Sequence, residues 1–267
     1  QELAPGLPFE VERRLLRGAR RIGIELDDAH HLVPRKAGKL TTWFAAADGV
    51  IAGNSVLAGD VLDAGGKPHV VPTVVDAASY PVAEHCPRDR PLRVVWLGLP
   101  SNFDQLQRLH EPLAALAKRR SMELVVISKG CPELPGVPVR AVPWSAGNEA
   151  AELATCDVGV MPLEDNAWSA GKCGLKLIQY LAAGLPAVAD PVGVNVDIAR
   201  GGGVLLAGDP VAWGAALERL SDPVERAGLA TIGRANAVAN WSVAGWTARL
   251  AATYRAIARG EAATWSA

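Results

Sequence analysis

Long apolar runs are missing from these 267 residues. None reaches the ~18 uninterrupted residues that a membrane-spanning helix needs. No basic stretch followed by an apolar one opens the chain, so the expected compartment is the cytosol. Cysteine is scarce as well. Cys86, Cys131, Cys156 and Cys173 lie far apart, with no C-x-x-C pair and no histidine at zinc-finger spacing. Neither a disulfide framework nor a structural zinc is indicated, and the thiols read as buried or idle. An excess of charge is lacking too: Lys+Arg 27 against Asp+Glu 28 gives a net charge of -1. That supplies no global reason to hold a long polyanion, so nucleic acid is not an expected partner, while a nucleotide-sized ligand remains open.

What is present is the composition of a globular chain. Apolar residues make up 49% and charged residues 21%, enough to build a sizeable core. At ~150 residues per domain, the length suggests one large domain or two modest ones.

Short β-branched runs alternate with longer amphipathic stretches, which predicts βα units feeding a parallel sheet, an α/β fold. Strands are expected at 22–26, 49–52 and 69–72, with helices at roughly 35–47 and 55–65. The stretch 81–92, PVAEHCPRDRPL, carries three prolines and mixed charges and reads as a linker. After it come strands at 93–99, 122–128, 138–142, 157–163, 186–190 and 203–207. Helices are expected at 104–120, 148–155 and 175–183, and three more finish the chain. The strands read as continuous apolar runs, as parallel strands covered on both faces do. Residues 90–245 thus form a complete doubly wound domain. Residues 1–85 offer only about three strands, the closing part of another domain, and 246–267 form a terminal helix. The chain is expected to begin partway through its first domain.

In an open parallel sheet, ligands bind at the carboxyl ends of the strands where the strand order reverses. Four strand-end stretches stand out. Gly98, Ser101 and Asn102 follow the first strand of the second domain, either as an anion-accepting helix start or as a plain capped turn. PLEDNAWSAGKCG, residues 162–174, holds Trp168, Gly171, Lys172 and Gly174. Its glycines leave room for a ligand and its lysine and the following helix start suit a diphosphate, although no Walker motif is present. Lys176 sits in that helix's first turn, where a cation opposes the helix dipole, and Gln179 lies farther along within reach of a ribose. Each lysine also reads as simply solvated. Gly193 follows the 186–190 strand, as a close backbone approach or an ordinary turn.

Outside these stretches, Asp27 and Asp28 with His30 and His31 read as a helix cap or a metal site, the latter lacking a third carboxylate at ligand spacing. Trp96 reads as core, whereas Trp144 and Trp168 fall in strand-end loops where an indole meets a base or sugar. Arg13, Arg14, Arg17, Arg20 and Arg21 read as a solvated helix face or a contact for anionic lipid.

The segment from Trp168 to Asn195, WSAGKCGLKLIQYLAAGLPAVADPVGVN, resembles the donor-binding region of GT-B glycosyltransferases of the family 4-like, group 1 type. WLGLPSNFDQL from Trp96 and VPWSAGNEAAELATCDVGVMPL from Val142 are similar to other parts of the same domain, in the right order. ELDDAHHL, ADGVIAGNSVLA and VVPTVVD resemble the end of the family's N-terminal domain. The resemblance implies two Rossmann-like domains, the first incomplete, and transfer of a sugar from a nucleotide diphosphate sugar with retention of configuration and without metal or cofactor. It places Lys172 and the Gly171–Gly174 loop at the donor diphosphate with Lys176 as a second contact, lines the pocket with Gly98, Ser101 and Asn102, and sets Gln179 near the ribose. The chain departs from the family in two respects. Gly171 and Gln179 stand where many members carry two glutamates, and Leu99 to Asn102 replace a loop that often holds Arg and Lys. The acceptor, whether glycan, lipid or small molecule, is not specified, nor is a general base. The expected setting is glycan biosynthesis in the cytosol or at the inner membrane face. Two other readings keep the fold: a nucleotide-sugar 2-epimerase-like enzyme, for which only Glu164 and Asp165 supply acids, and an inactive binding subunit.

Overall fold

The computed structural model describes residues 7–86 and 89–261. Among them the chain forms two compact units. One comprises the residues up to Thr73 together with 166–173 and those from Gly245 onward; the other comprises Val74–Asp165 and Gly174–Ala244. The passage between units therefore falls after Thr73, ahead of the proline-rich 81–92 stretch. A short piece of the glycine-containing loop and the last helix belong with the first unit.

The first unit is built on β1 (Gly23–Leu26), β2 (Gly49–Ala52) and β3 (Pro68–Val70), parallel and in the order β1-β2-β3. Every residue of β2 is buried, as its GVIA sequence requires of a middle strand. Helices Ala37–Ala46 and Ser55–Asp63 connect the strands and supply Phe44, Leu57 and Val61 to a core that also holds Val50 and Cys173. Glu12, in the first helix, Phe9–Leu15, is buried. It accepts a 2.7 Å hydrogen bond from Trp43 Nε1 and pairs with Lys39 Nζ at 2.8 Å, so its charge is answered inside the unit. Gly49 is a packing requirement: a Cβ there would lie 2.6 Å from Ile257 Cγ1 of the last helix, Val243–Arg259.

The second unit holds β4 (Leu92–Leu97), β5 (Met122–Ser128), β6 (Val139–Pro143), β7 (Val158–Met161), β8 (Ala187–Ala189) and β9 (Val204–Leu206). All are parallel, in the order β6-β5-β4-β7-β8-β9. Counted within the unit this is the 3-2-1-4-5-6 order of a doubly wound sheet, with the reversal between β4 and β7. Tyr180, fully buried, marks that reversal. Its hydroxyl accepts from the Leu97 N–H at 2.8 Å and donates to the Val160 carbonyl at 3.3 Å, joining the two strands. Burial pushes its phenol well above the usual range. Its ring occupies the space a side chain at Gly159 would need. At the amino end, Asp157 receives two bonds from Arg90, at 2.6 and 3.0 Å, and one from the Arg93 N–H at 2.8 Å.

One expected element is divided. In place of a helix over 104–120 there are Phe103–Gln107 and His110–Arg119. Pro112 is the cause: it has no N–H for the carbonyl of Arg108, and its ring collides with that carbonyl in a continuous helix. Trp96 is core as expected, 4% exposed and packed at a 50° tilt against Phe103 at 5.6 Å between centroids. Not all four thiols are buried: Cys156 and Cys173 are, whereas Cys86 and Cys131 are exposed.

Candidate functional site

At the carboxyl ends of β7 and β8 the second unit presents two helix starts, Leu175–Ala182 and Val194–Arg200. Both are preceded by glycine with positive φ, Gly174 at +67° and Gly193 at +53°. Glycine carries no side chain to cap the helix, so the first N–H groups of Leu175–Ala182 stay available to an incoming anion, whereas at the second start the Asn195 and Val196 N–H groups donate to the Val192 and Gly193 carbonyls. The two starts lie side by side. A Cβ on Gly174 would be 2.9 Å from Val194 Cγ1 and 2.5 Å from Ile198 Cδ1, so only glycine fits there. Asn195, 1% exposed, donates to the Asp190 carbonyl at 3.2 Å, and its Oδ1 has no hydrogen-bond partner. Asp190 itself accepts from the Leu163 N–H at 2.8 Å and from Trp213 Nε1 at 3.4 Å, tying the loop after β7 to the end of β8. Burial raises its carboxyl above the ordinary range against those hydrogen bonds.

A polar cluster forms beside them in the same unit. Trp144, in the loop after β6, donates from Nε1 to Glu149 Oε2 at 2.6 Å. Glu149 Oε1 accepts from Gln179 Nε2 and, at 3.5 Å, from the Tyr80 hydroxyl. Gln179 Nε2 also reaches Tyr80 Oη at 2.9 Å, and Lys176 Nζ donates to Gln179 Oε1 at 3.0 Å. Burial lowers the Lys176 ammonium while the Glu149 carboxylate works to raise it. The cation in the first helical turn is thus answered by an acid from another element. Glu149 and Tyr80 were not singled out by sequence reasoning. Trp144 and Glu149 share the segment after β6, but an acid opening a helix has an ordinary explanation in the helix dipole, and Tyr80 lies 99 residues from its partner Gln179.

The loop after β4 contributes differently from its expected capping role. Pro100–Asn102 is a single 3-10 turn, and neither Ser101 nor Asn102 caps a helix with its side chain. Gly98 is required by packing, since a side chain there would run into the Trp96 indole.

In the first unit, the piece 166–173 is fixed on Asn54. Asn54 Nδ2 donates to the carbonyls of Gly171 at 3.0 Å and Lys172 at 3.2 Å, and reaches Cys173 Sγ at 3.4 Å. Gly171 has no room for a side chain: a Cβ would be 2.6 Å from that of Ala29. The Lys172 ammonium lies 5.8 Å from the centre of the Trp168 ring, which meets His30 edge-on at 6.0 Å. The Asp28 carboxylate accepts from the neighbouring Ala29 N–H at 2.9 Å, and the turn His30–Leu32 has no side-chain cap. His31 faces Asp60 at 3.0 Å instead. Among the described residues, no three His, Cys, Asp or Glu side chains gather as a metal site. Of the five clustered arginines, Arg13 bonds Glu10 and Arg21 bonds Asp48. Among the described residues no helix is long and apolar enough to cross a membrane.

A parallel sheet of this order, with glycine-led helix starts at its carboxyl ends, defines a doubly wound, Rossmann-like domain. A family model described as glycosyl transferases group 1 matches residues 91–222, a little under half of the chain. No curated protein sequence matches the chain. Among solved structures it is similar to Anabaena HepE in complex with UDP and glucose, with 16% identity, 92% of this chain and 75% of that one covered, and a TM-score of 0.74. It is also similar to sucrose-phosphate synthase from Thermosynechococcus elongatus, with 18% identity, 92% and 70% covered, TM-score 0.69. A third is α,α-trehalose 6-phosphate synthase from Burkholderia multivorans, with 15% identity, 94% and 68% covered, TM-score 0.68.

Proposed function

We propose that the chain takes its sugar from a nucleotide diphosphate sugar and passes it to an acceptor with retention of configuration and without a resident metal. The observation that carries this reading is the helix start at Gly174. Its first N–H groups carry no side-chain cap, and it stands at the carboxyl end of a doubly wound sheet, where phosphates are held. UDP and glucose bound to HepE, a protein of similar fold, support the same ligand class. Lys176 and the helix amides would steady the charge that develops on the leaving diphosphate, the kind of fixed electrostatic stabilisation that lowers a transition state without further reorganisation. Lys172, by resemblance, is assigned to the same diphosphate.

Calorimetric titration of the folded protein with UDP-, GDP- and ADP-sugars tests the reading. Binding of one class is expected, with affinity unchanged by EDTA; no binding to any of them would remove the donor assignment. The exposed arginines Arg14, Arg17 and Arg20 belong to the proposal as a contact for anionic lipid. Flotation with anionic and neutral vesicles tests it, and equal recovery on both would discard it.

A further inference from the structure

The buried amide of Gln179 is fully used. Its two Nε2 hydrogens go to Glu149 Oε1 and Tyr80 Oη, and its Oε1 takes the Lys176 ammonium. With 5% of the residue exposed, it has no donor left for an incoming hydroxyl group. What it does is hold Glu149. That carboxylate is gripped by three neutral donors, the indole of Trp144, the amide of Gln179 and the phenol of Tyr80. Neutral donors fix a carboxylate without cancelling its charge, and about four lone-pair positions on its two oxygens leave acceptor capacity after those three bonds. Glu149 is half-buried, opens the helix Glu149–Leu153, and stands after β6 at the carboxyl end of the sheet. A fixed, charged, half-exposed acceptor with one position left, on Oε2, suits a ligand that presents a neutral hydroxyl donor, as a ribose does.

We propose that Glu149 accepts a hydrogen bond from a ribose hydroxyl of the nucleoside diphosphate, and that Gln179, Tyr80 and Trp144 are positioning residues that aim it. The assignment rests on the nucleotide-donor reading above. It sets the carboxylate on the segment after β6, while the helix Leu175–Ala182 contributes the amide that orients it. Lys176 completes the arrangement by holding the far side of that amide.

The experiment compares two ligands on two proteins. Whichever of UDP, GDP and ADP binds the wild type is titrated alongside its 2′,3′-dideoxy form, with wild type and Glu149→Gln. Glu149→Gln is expected to weaken the ribonucleotide tenfold or more and the dideoxy form threefold or less, so that discrimination between them collapses. Equal losses on both ligands, or no loss on either, would overturn the assignment while leaving the donor reading intact. Failure of all three nucleotides to bind wild type overturns both. Glu149→Asp keeps the charge and withdraws it by one methylene, so it serves if the glutamine variant does not fold. It is expected to keep the wild-type melting temperature and lose most of the discrimination; retained discrimination would also overturn the assignment. Tyr80→Phe removes a positioning donor and is expected to reduce discrimination partway, without changing dideoxy binding.

Discussion

Asn54 donates to the carbonyl of Gly171 at 3.0 Å while its own Oδ1 accepts from the Leu57 N–H at 2.9 Å. One buried amide therefore starts the helix Ser55–Asp63 and clamps a piece of chain 117 residues away. Loss of a helix cap costs about 0.5–2 kcal/mol, and a buried carbonyl left without a donor about 1–3 kcal/mol. Aspartate caps as well as asparagine but brings no N–H, so Asn54→Asp isolates the clamp. Urea denaturation is expected to show a loss of at least ~1 kcal/mol for Asn54→Asp; an unchanged midpoint would mean that the clamp adds nothing.

Gly174→Ala combines two penalties, the left-handed backbone at about 1–2 kcal/mol and crowding against Val194 and Ile198 at about 1–3 kcal/mol. Gly136, at φ +77° with open space around it, carries the first alone. Gly136→Ala is therefore expected to lose less stability than Gly174→Ala in the same denaturation assay, and equal losses would show that the crowding relaxes freely.

Lys172→Ala is expected to weaken binding of the nucleoside diphosphate by about 10- to 100-fold, the range of a hydrogen bond to a charged group, with little change for the nucleoside. Paired titrations read this difference. Equal losses on both ligands would take Lys172 away from the phosphates.

Thiol chemistry should divide the cysteines by burial. Cys86 is exposed and is expected to alkylate first at pH 8; Cys131 follows, because partial burial pushes its thiol up. Burial drives Cys173 up to about 11 and Cys156 up to about 12, from an ordinary 9.0, so both should resist until the chain unfolds. Mass spectrometry of timed alkylation gives the order. The sign of the pH effect follows. Above pH 9 the unfolded chain releases these protons while the folded one keeps them, so stability falls as pH rises from about 9 toward 11–12. Cys156→Ala and Cys173→Ala are expected to flatten that fall, whatever they cost at neutral pH.

Much of the sheet was legible because its strands are short, apolar and bounded by polar or glycine-rich turns. DVGVMPL and PAVAD could scarcely be anything but buried strands, and β7 and β8 lie within them. The short helices Phe9–Leu15, Ala167–Ala170 and Val194–Arg200 were not foreseen, since four to seven residues give too little periodicity to read. The helix over 104–120 was read as continuous because its apolar spacing outweighed Pro112 on paper, whereas in the chain one missing N–H and one steric clash sufficed to divide it.

At the site, the sequence pointed to Gly174, Lys176, Gln179 and Gly193, because glycine before a helix and polar residues on its first turns have local physical meanings. Glu149 and Tyr80 gave no such signal: their meaning depends on meeting Gln179 from 30 and 99 residues away. For Gly171 and Gly174 the sequence suggested room for a ligand, and the structure fills the space beside them with Ala29 and with Val194 and Ile198.

The sequence by itself determined an α/β chain with a doubly wound domain, because alternating apolar runs and amphipathic stretches act locally and leave few other ways to bury them. Only the tertiary structure decided where the polar groups go. It gave Asn54 to a distant loop, placed Tyr180 across the strand reversal, and bonded the Gln179 amide to Glu149 and Tyr80. Each of these is a hydrogen bond between distant residues, and such a bond becomes definite only when folding brings both partners out of water together.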